Sequence, residues 1–100
     1  MKVYLVVFEW FDEDGKDIDI EAFDSYEKAA KRFQERIENE KANVPWVREA
    51  FDENGDILDG YDFDECQPDT RFKNYAHWSL RDAYNYLMYD NIAIVPREVK

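Results

Sequence analysis

The sequence predicts an α+β fold: one domain in which an antiparallel sheet of four or five strands carries one main helix across one face, in the order roughly ββαββββ. Three observations lead there. An Asp-Gly turn joins two strand-like runs near the N-terminus, a one-faced apolar stripe covers residues 25–41, and an Asn-Gly turn at 54–55 introduces further alternating segments. A length of 100 residues suits a single domain. A hydrophobic share of 45%, with three Trp, seven Tyr and seven Phe, supplies large core side chains despite 37% charge.

Residues 3–11 are dense in Val, Tyr, Phe and Trp, side chains that fit a pleated, buried surface, and predict a central strand. Asp12-Glu13-Asp14-Gly15 then supplies turn chemistry. Residues 17–22 alternate acid with apolar, so Ile18, Ile20 and Ala22 are expected to face the core while Asp17, Asp19 and Glu21 face water. The first strand is expected to contribute Val3, Leu5 and Val7 to that core.

Asp24 with Glu27 has capping-box spacing, and Ser25 is the alternative cap. Tyr26, Ala29, Ala30, Phe33 and Ile37 follow at helical spacing, while charged residues including Glu38 and Glu40 fill the predicted solvent side. Asn43 and Pro45 end the helix, because a residue before proline is driven out of the α region. Residues 46–51 predict a short strand. Phe51-Asp52-Glu53-Asn54-Gly55 echoes residues 11–15, which we read as one turn chemistry used twice rather than a duplicated unit. Residues 57–63 alternate loosely, and 65–70 predict a loop around Pro68.

The last thirty residues permit two readings. Ser79 with Asp82 is able to open a short helix over 79–89, carrying Leu80, Ala83, Tyr84, Leu87 and Met88 at helical spacing. In the other reading, 72–80 is a strand, 81–90 a wide connection and 92–99 a last strand whose Pro96 marks an edge or bulged position. Trp78, Ile92 and Ile94 join Ala29, Phe33 and Ile37 in the expected core.

The turn-linked strands ending in Phe23-Asp24-Ser25, the helix containing Glu27-Lys28-Ala29, then Trp78-Ser79-Leu80 and Ile92-Ala93-Ile94 with Glu98-Val99 form a further pattern. It resembles small acidic bacterial proteins with a ββα start and antiparallel C-terminal strands, which have no assigned activity. The resemblance spans most of the chain and contains no catalytic motif. It implies a fold and favours a strand over 76–80.

Several function classes fall away on composition. With 24 Asp and Glu against 13 Lys and Arg, the net charge of −11 opposes general binding to nucleic acid or anionic membranes. The apolar run at 3–8 is far shorter than the roughly 18 residues a membrane span needs, and it lacks signal-peptide flanks. One cysteine, Cys66, precludes an intrachain disulfide, so the cytoplasm is the expected compartment.

Neither acidic turn fits a calcium loop, because Gly falls at position 4 rather than 6 and position 12 is Phe. Cys66 and the single histidine, His77, are too few for a typical zinc shell, and acids flank the thiol. Three glycines write no phosphate-binding fingerprint. No catalytic residue, metal ligand or cofactor is expected.

Charge distribution is the unusual feature. Residues 1–69 hold 21 acids and 8 bases, residues 70–100 hold 3 and 5, and residues 49–69 hold nine acids with no base. The expected function is therefore a non-enzymatic module that binds a basic partner protein, as an inhibitor or nucleic-acid mimic does. Its candidate partner-binding residues are Glu49, Asp52, Glu53, Asp56, Asp59, Tyr61, Asp62 and Asp64. Three other readings compete with it. The charges serve solubility alone, carboxylates in an aromatic cleft serve a small enzyme, or exposed sheet and aromatic surface makes a homodimer.

Overall fold

The computed structural model describes residues 1–84 and 87–99. The N-terminal apolar run forms β1 (Lys2–Asp12), which turns through Gly15 into β2 (Gly15–Phe23). Gly15 has φ +134°, a conformation that side chains rarely adopt, and Asp12 braces the turn by accepting a hydrogen bond from the Asp14 N–H at 2.8 Å. The main helix, α1 (Tyr26–Asn43), is followed by a short α2 (Pro45–Glu49), then β3 (Tyr61–Cys66), β4 (Ala76–Asp82) and β5 (Tyr89–Glu98). The strands form one antiparallel sheet in the order β2-β1-β5-β4-β3. The α+β class, the five strands and the single main helix are as the sequence predicts.

Ser25 is the cap of α1, its hydroxyl accepting from the Lys28 N–H at 3.2 Å, while Asp24 instead pairs with the Lys28 ammonium at 2.9 Å. Ser25→Ala is expected to cost about 1 kcal/mol. It should lower the urea midpoint without changing the slope of the unfolding transition.

Residues 46–51 do not form the expected strand. Pro45 takes the first position of α2, where its missing N–H has no helical partner to lose, and Val47 and Ala50 turn onto the core. The hairpin expected at Asn54-Gly55 is reduced to one bridge between Phe51 and Ile57, so three strands follow the helix instead of four. At the C-terminal end the strand reading holds for 76–80. The alternative helix over 79–89 is displaced by β4 and β5 at its two ends, and its residues 85 and 86 lie outside the described residues. Pro96 pairs with Tyr4 of β1 but lies beyond the last β4 partner, Ile94, so its missing donor breaks no ladder on that side.

The stripe of α1 lies over Tyr4, Val6 and Phe8 of β1, Ile92 and Ile94 of β5 and Trp78 and Leu80 of β4. Trp78 is fully buried, with Phe51 stacked at 6.3 Å and Phe63 edge-on at 5.6 Å. The expected contributions of Ala29, Phe33, Ile37, Trp78, Ile92 and Ile94 are observed.

The first hairpin, however, presents its other face. Val3, Leu5 and Val7 are half-buried on the side away from the helix, and Ile18 and Ile20 are 53% and 55% exposed. The strand register explains this: Val6 opposes Glu21 and Phe8 opposes Asp19, so the acids of β2 share the helix side. Arg32 and Arg36 of α1 meet them there. Both donate to Glu21 at 2.8–3.1 Å, and Arg36 also pairs with Asp19 and lies 4.9 Å over the Phe8 ring. Burial pushes Glu21 upward, but its bonds and charge pairing with Arg36 and Arg32 outweigh this and hold it below the usual carboxylate range.

Candidate functional site

The apolar stripe of α1 runs through Ile37, and the next position on that face is Glu40. On β5 the inward alternation runs Asp90, Ile92, Ile94, and register sets Asp90 between Trp10 of β1 and Leu80 of β4. Two carboxyl groups thereby meet beneath the last turns of the helix. Asp90 is 1% exposed and Glu40 6%, so Glu40 does not occupy the solvent side that its charge predicts.

These groups sit at the base of a cleft. An inner recess of about 210 Å³ is walled by Phe8, Trp10, Val44 and Trp46, with Asp90 and Glu40 inside and Asp12 and Asp14 at its margin. An outer recess of about 470 Å³ shares Asp12, Asp14, Val44 and Trp46 and adds Glu13, Glu49 and Met88 among its walls. Among the described residues, six carboxylic residues line the two recesses and no Lys or Arg does. The C-terminal end of α1 adds the negative pole of its helix dipole.

Asp90 lies well outside the ordinary carboxylate range, pushed up to about 9 by burial, then by a hydrogen bond and charge repulsion from Glu40, and finally by Asp12. Its Oδ1 is buried without a hydrogen-bond partner. An unsatisfied polar atom of this kind is costly in a core. Asp90 is held neutral near pH 7, and a cation entering the recess can take up the charge that Asp90 gains on losing its proton. Among the described residues, no group of three or more His, Cys, Asp or Glu is arranged to hold a metal ion.

A second concavity, of about 420 Å³, lies on the uncovered face of the sheet. Register aligns Glu9, Asn91, Ser79 and Asp64 across β1, β5, β4 and β3, with Tyr89, Arg81 and Asp62 in the adjoining row. Its polar groups are largely engaged with one another. Ser79 donates to Asn91 at 2.7 Å, Arg81 to Asp62 at 2.9 Å, and His77 Nε2 lies 2.9 Å from Asp64. Burial, followed by the Glu9 carboxylate, raises the Tyr89 phenol.

The eight candidate residues from the sequence are divided among four places. Glu49 reaches the rim of the cleft. Asp52, Glu53, Asp56 and Asp59 lie on the exposed 52–59 segment, where Asp52 Oδ1 accepts from the N–H groups of Asn54 and Asp56, both at 2.9 Å. Tyr61 packs against the core on the helix side, its phenol raised by burial and then by Asp82 and Glu49, whereas Asp62 and Asp64 point to the opposite face. Sequence reasoning missed Glu40 and Asp90. Both signals were periodic: Glu40 continues the helical stripe, and Asp90 occupies an inward position of an alternating strand.

The chain matches no protein-family model, no curated protein and no solved structure.

Proposed function

We propose that the protein is a non-enzymatic acidic interaction module that captures a basic partner protein through the cleft at the end of α1. The carrying observation is a recess lined by carboxylates and tryptophans, with no cationic side chain among its described lining residues. Carboxylates around a concave, low-dielectric wall focus negative potential and accelerate encounter with a positive partner, while Trp10 and Trp46 supply apolar and cation–π contact. The proposed setting is the cytoplasm, where an exposed, reduced Cys66 is unremarkable. No described helix is long and apolar enough to cross a membrane.

Two variants of equal charge separate a specific cleft from bulk acidity. One carries Glu13→Gln, Asp14→Asn and Glu49→Gln at the cleft, and the other Glu53→Gln, Asp56→Asn and Asp59→Asn on the 52–59 segment. Binding to an octalysine peptide at low salt should weaken at least about tenfold in the first and about twofold or less in the second. Equal weakening would reduce the binding to net charge and reject the cleft.

The same buried pair favours one further reading, a carboxylate-dependent enzyme in which Asp90 supplies the proton from an aromatic recess. That reading requires a substrate whose turnover disappears in Asp90→Asn, whereas the interaction module requires none.

A further inference from the structure

We infer that the inner recess is a receptor for one primary ammonium group, the side chain of a lysine carried by the basic partner. The inference rests on the interaction reading and specifies what enters the cleft.

The geometry distinguishes lysine from arginine. At its base the recess has one buried carboxylate oxygen, Asp90 Oδ1, without a donor, and the Glu40 carboxyl beside it. An ammonium is a compact charge whose three donors can converge on two neighbouring carboxyl groups. A guanidinium carries five donors in a rigid plane and would leave several unpaired among Phe8, Trp10, Val44 and Trp46. Those apolar walls instead suit the four-carbon stem of lysine, and the tryptophan faces attract its charged end. A divalent metal is a poorer occupant, since no suitable ligand group converges among the described residues.

Entry of the ammonium is coupled to departure of a proton. The empty recess holds Asp90 protonated, and the titratable groups facing it are Glu40 from α1, Asp12 from β1 and Asp14 from the turn after it. From β4 the register neighbour is the apolar Leu80, and from α2 the recess wall is Trp46. When R–NH3⁺ enters, Asp90 releases its proton to solvent and the carboxylate pairs with the ammonium, so net charge is conserved and no covalent bond changes. Because the proton competes with the ligand, lysine affinity should rise from pH 6 to pH 8, where both ammonium and guanidinium stay charged.

Octalysine and octaarginine peptides test this at matched salt, because they bear the same charge and differ in the group they present. Wild-type protein should bind octalysine about tenfold more tightly than octaarginine at pH 8, with a smaller preference at pH 6. Titration calorimetry in two buffers of different ionisation enthalpy should detect proton release with octalysine and none with octaarginine. In Asp90→Asn, whose amide stands in for the protonated carboxyl, the preference and the proton release should both vanish, with octaarginine binding unchanged. If wild type and Asp90→Asn bind both peptides alike and only the Glu13, Asp14 and Glu49 variant is weakened, the lysine receptor is overturned and the interaction reading survives. If neither peptide binds wild type, both fall.

Discussion

Asp90→Asn is expected to make the protein more stable at neutral and alkaline pH. The direction follows from proton linkage. In the unfolded chain Asp90 titrates near the ordinary value of about 3.9, whereas in the fold it holds its proton up to about 9. Between those limits the native state binds more protons than the unfolded state, so stability falls as pH rises. Below the lower limit both states are protonated and no penalty exists. The penalty grows by about 1.4 kcal/mol per pH unit above it, which puts a ceiling of about 4 kcal/mol on the penalty at pH 7.

Asparagine has the shape of the protonated acid, can donate to Glu40, and is neutral in both states. We expect a gain on the order of 2–4 kcal/mol at pH 7 and a melting temperature higher by roughly 10 °C or more. The pH dependence of melting between 5 and 9 should flatten at the same time. Melting curves across that range check it, and a wild-type profile equal to that of the variant would overturn the protonated Asp90. A residue whose conservative replacement stabilises the fold while abolishing lysine preference would display a trade of stability for binding.

The second large effect is expected at Trp78, one inward position along β4 from Leu80, the partner of Asp90. Trp78→Ala should cost about 3–5 kcal/mol, a large part of the 5–15 kcal/mol typical of a domain. Trp78 is fully buried on β4 between Phe51 and Phe63, so truncation removes the ring around which the 51–63 region packs against the sheet. Trp78→Phe should be far milder, at about 1.5 kcal/mol or less, because it also deletes an indole N–H that is buried without a partner. Equal losses in the two variants, measured by chemical denaturation, would show that ring size rather than aromatic contact governs this site.

Several elements were legible because their causes are local. The Asp-Gly and Asn-Gly turns carry positive-φ glycines where their composition calls for them, and the stripe from Tyr26 to Ile37 lies against the sheet. The short helix at Pro45 was misread because Trp46 and Val47 have good strand propensity, whereas helix geometry there depends on proline at the first position and on burial of Val47 and Ala50. The candidate site was less legible. Acid density pointed to residues 49–69, of which only Glu49 reaches the cleft between α1, α2 and the first turn. Charge density reports where carboxylates are numerous along the chain, but an unusual carboxyl group is made by burial and by a neighbour distant in sequence.

By itself the sequence determined which residues share a face: the helical stripe, the alternation of β2 and β5, and the turns that reverse them. Only the tertiary structure decided which face turns inward. β1 is apolar on both sides, so its period-two pattern is equally compatible with burying Tyr4, Val6 and Phe8 or Val3, Leu5 and Val7. One helix covers one side of the sheet. Arg32 and Arg36 of α1 neutralise the acids of β2, leaving Ile18 and Ile20 outward, and the same packing brings Glu40 onto Asp90. Periodicity is a property of neighbouring residues, whereas facing and proton affinity are set by contacts across the fold.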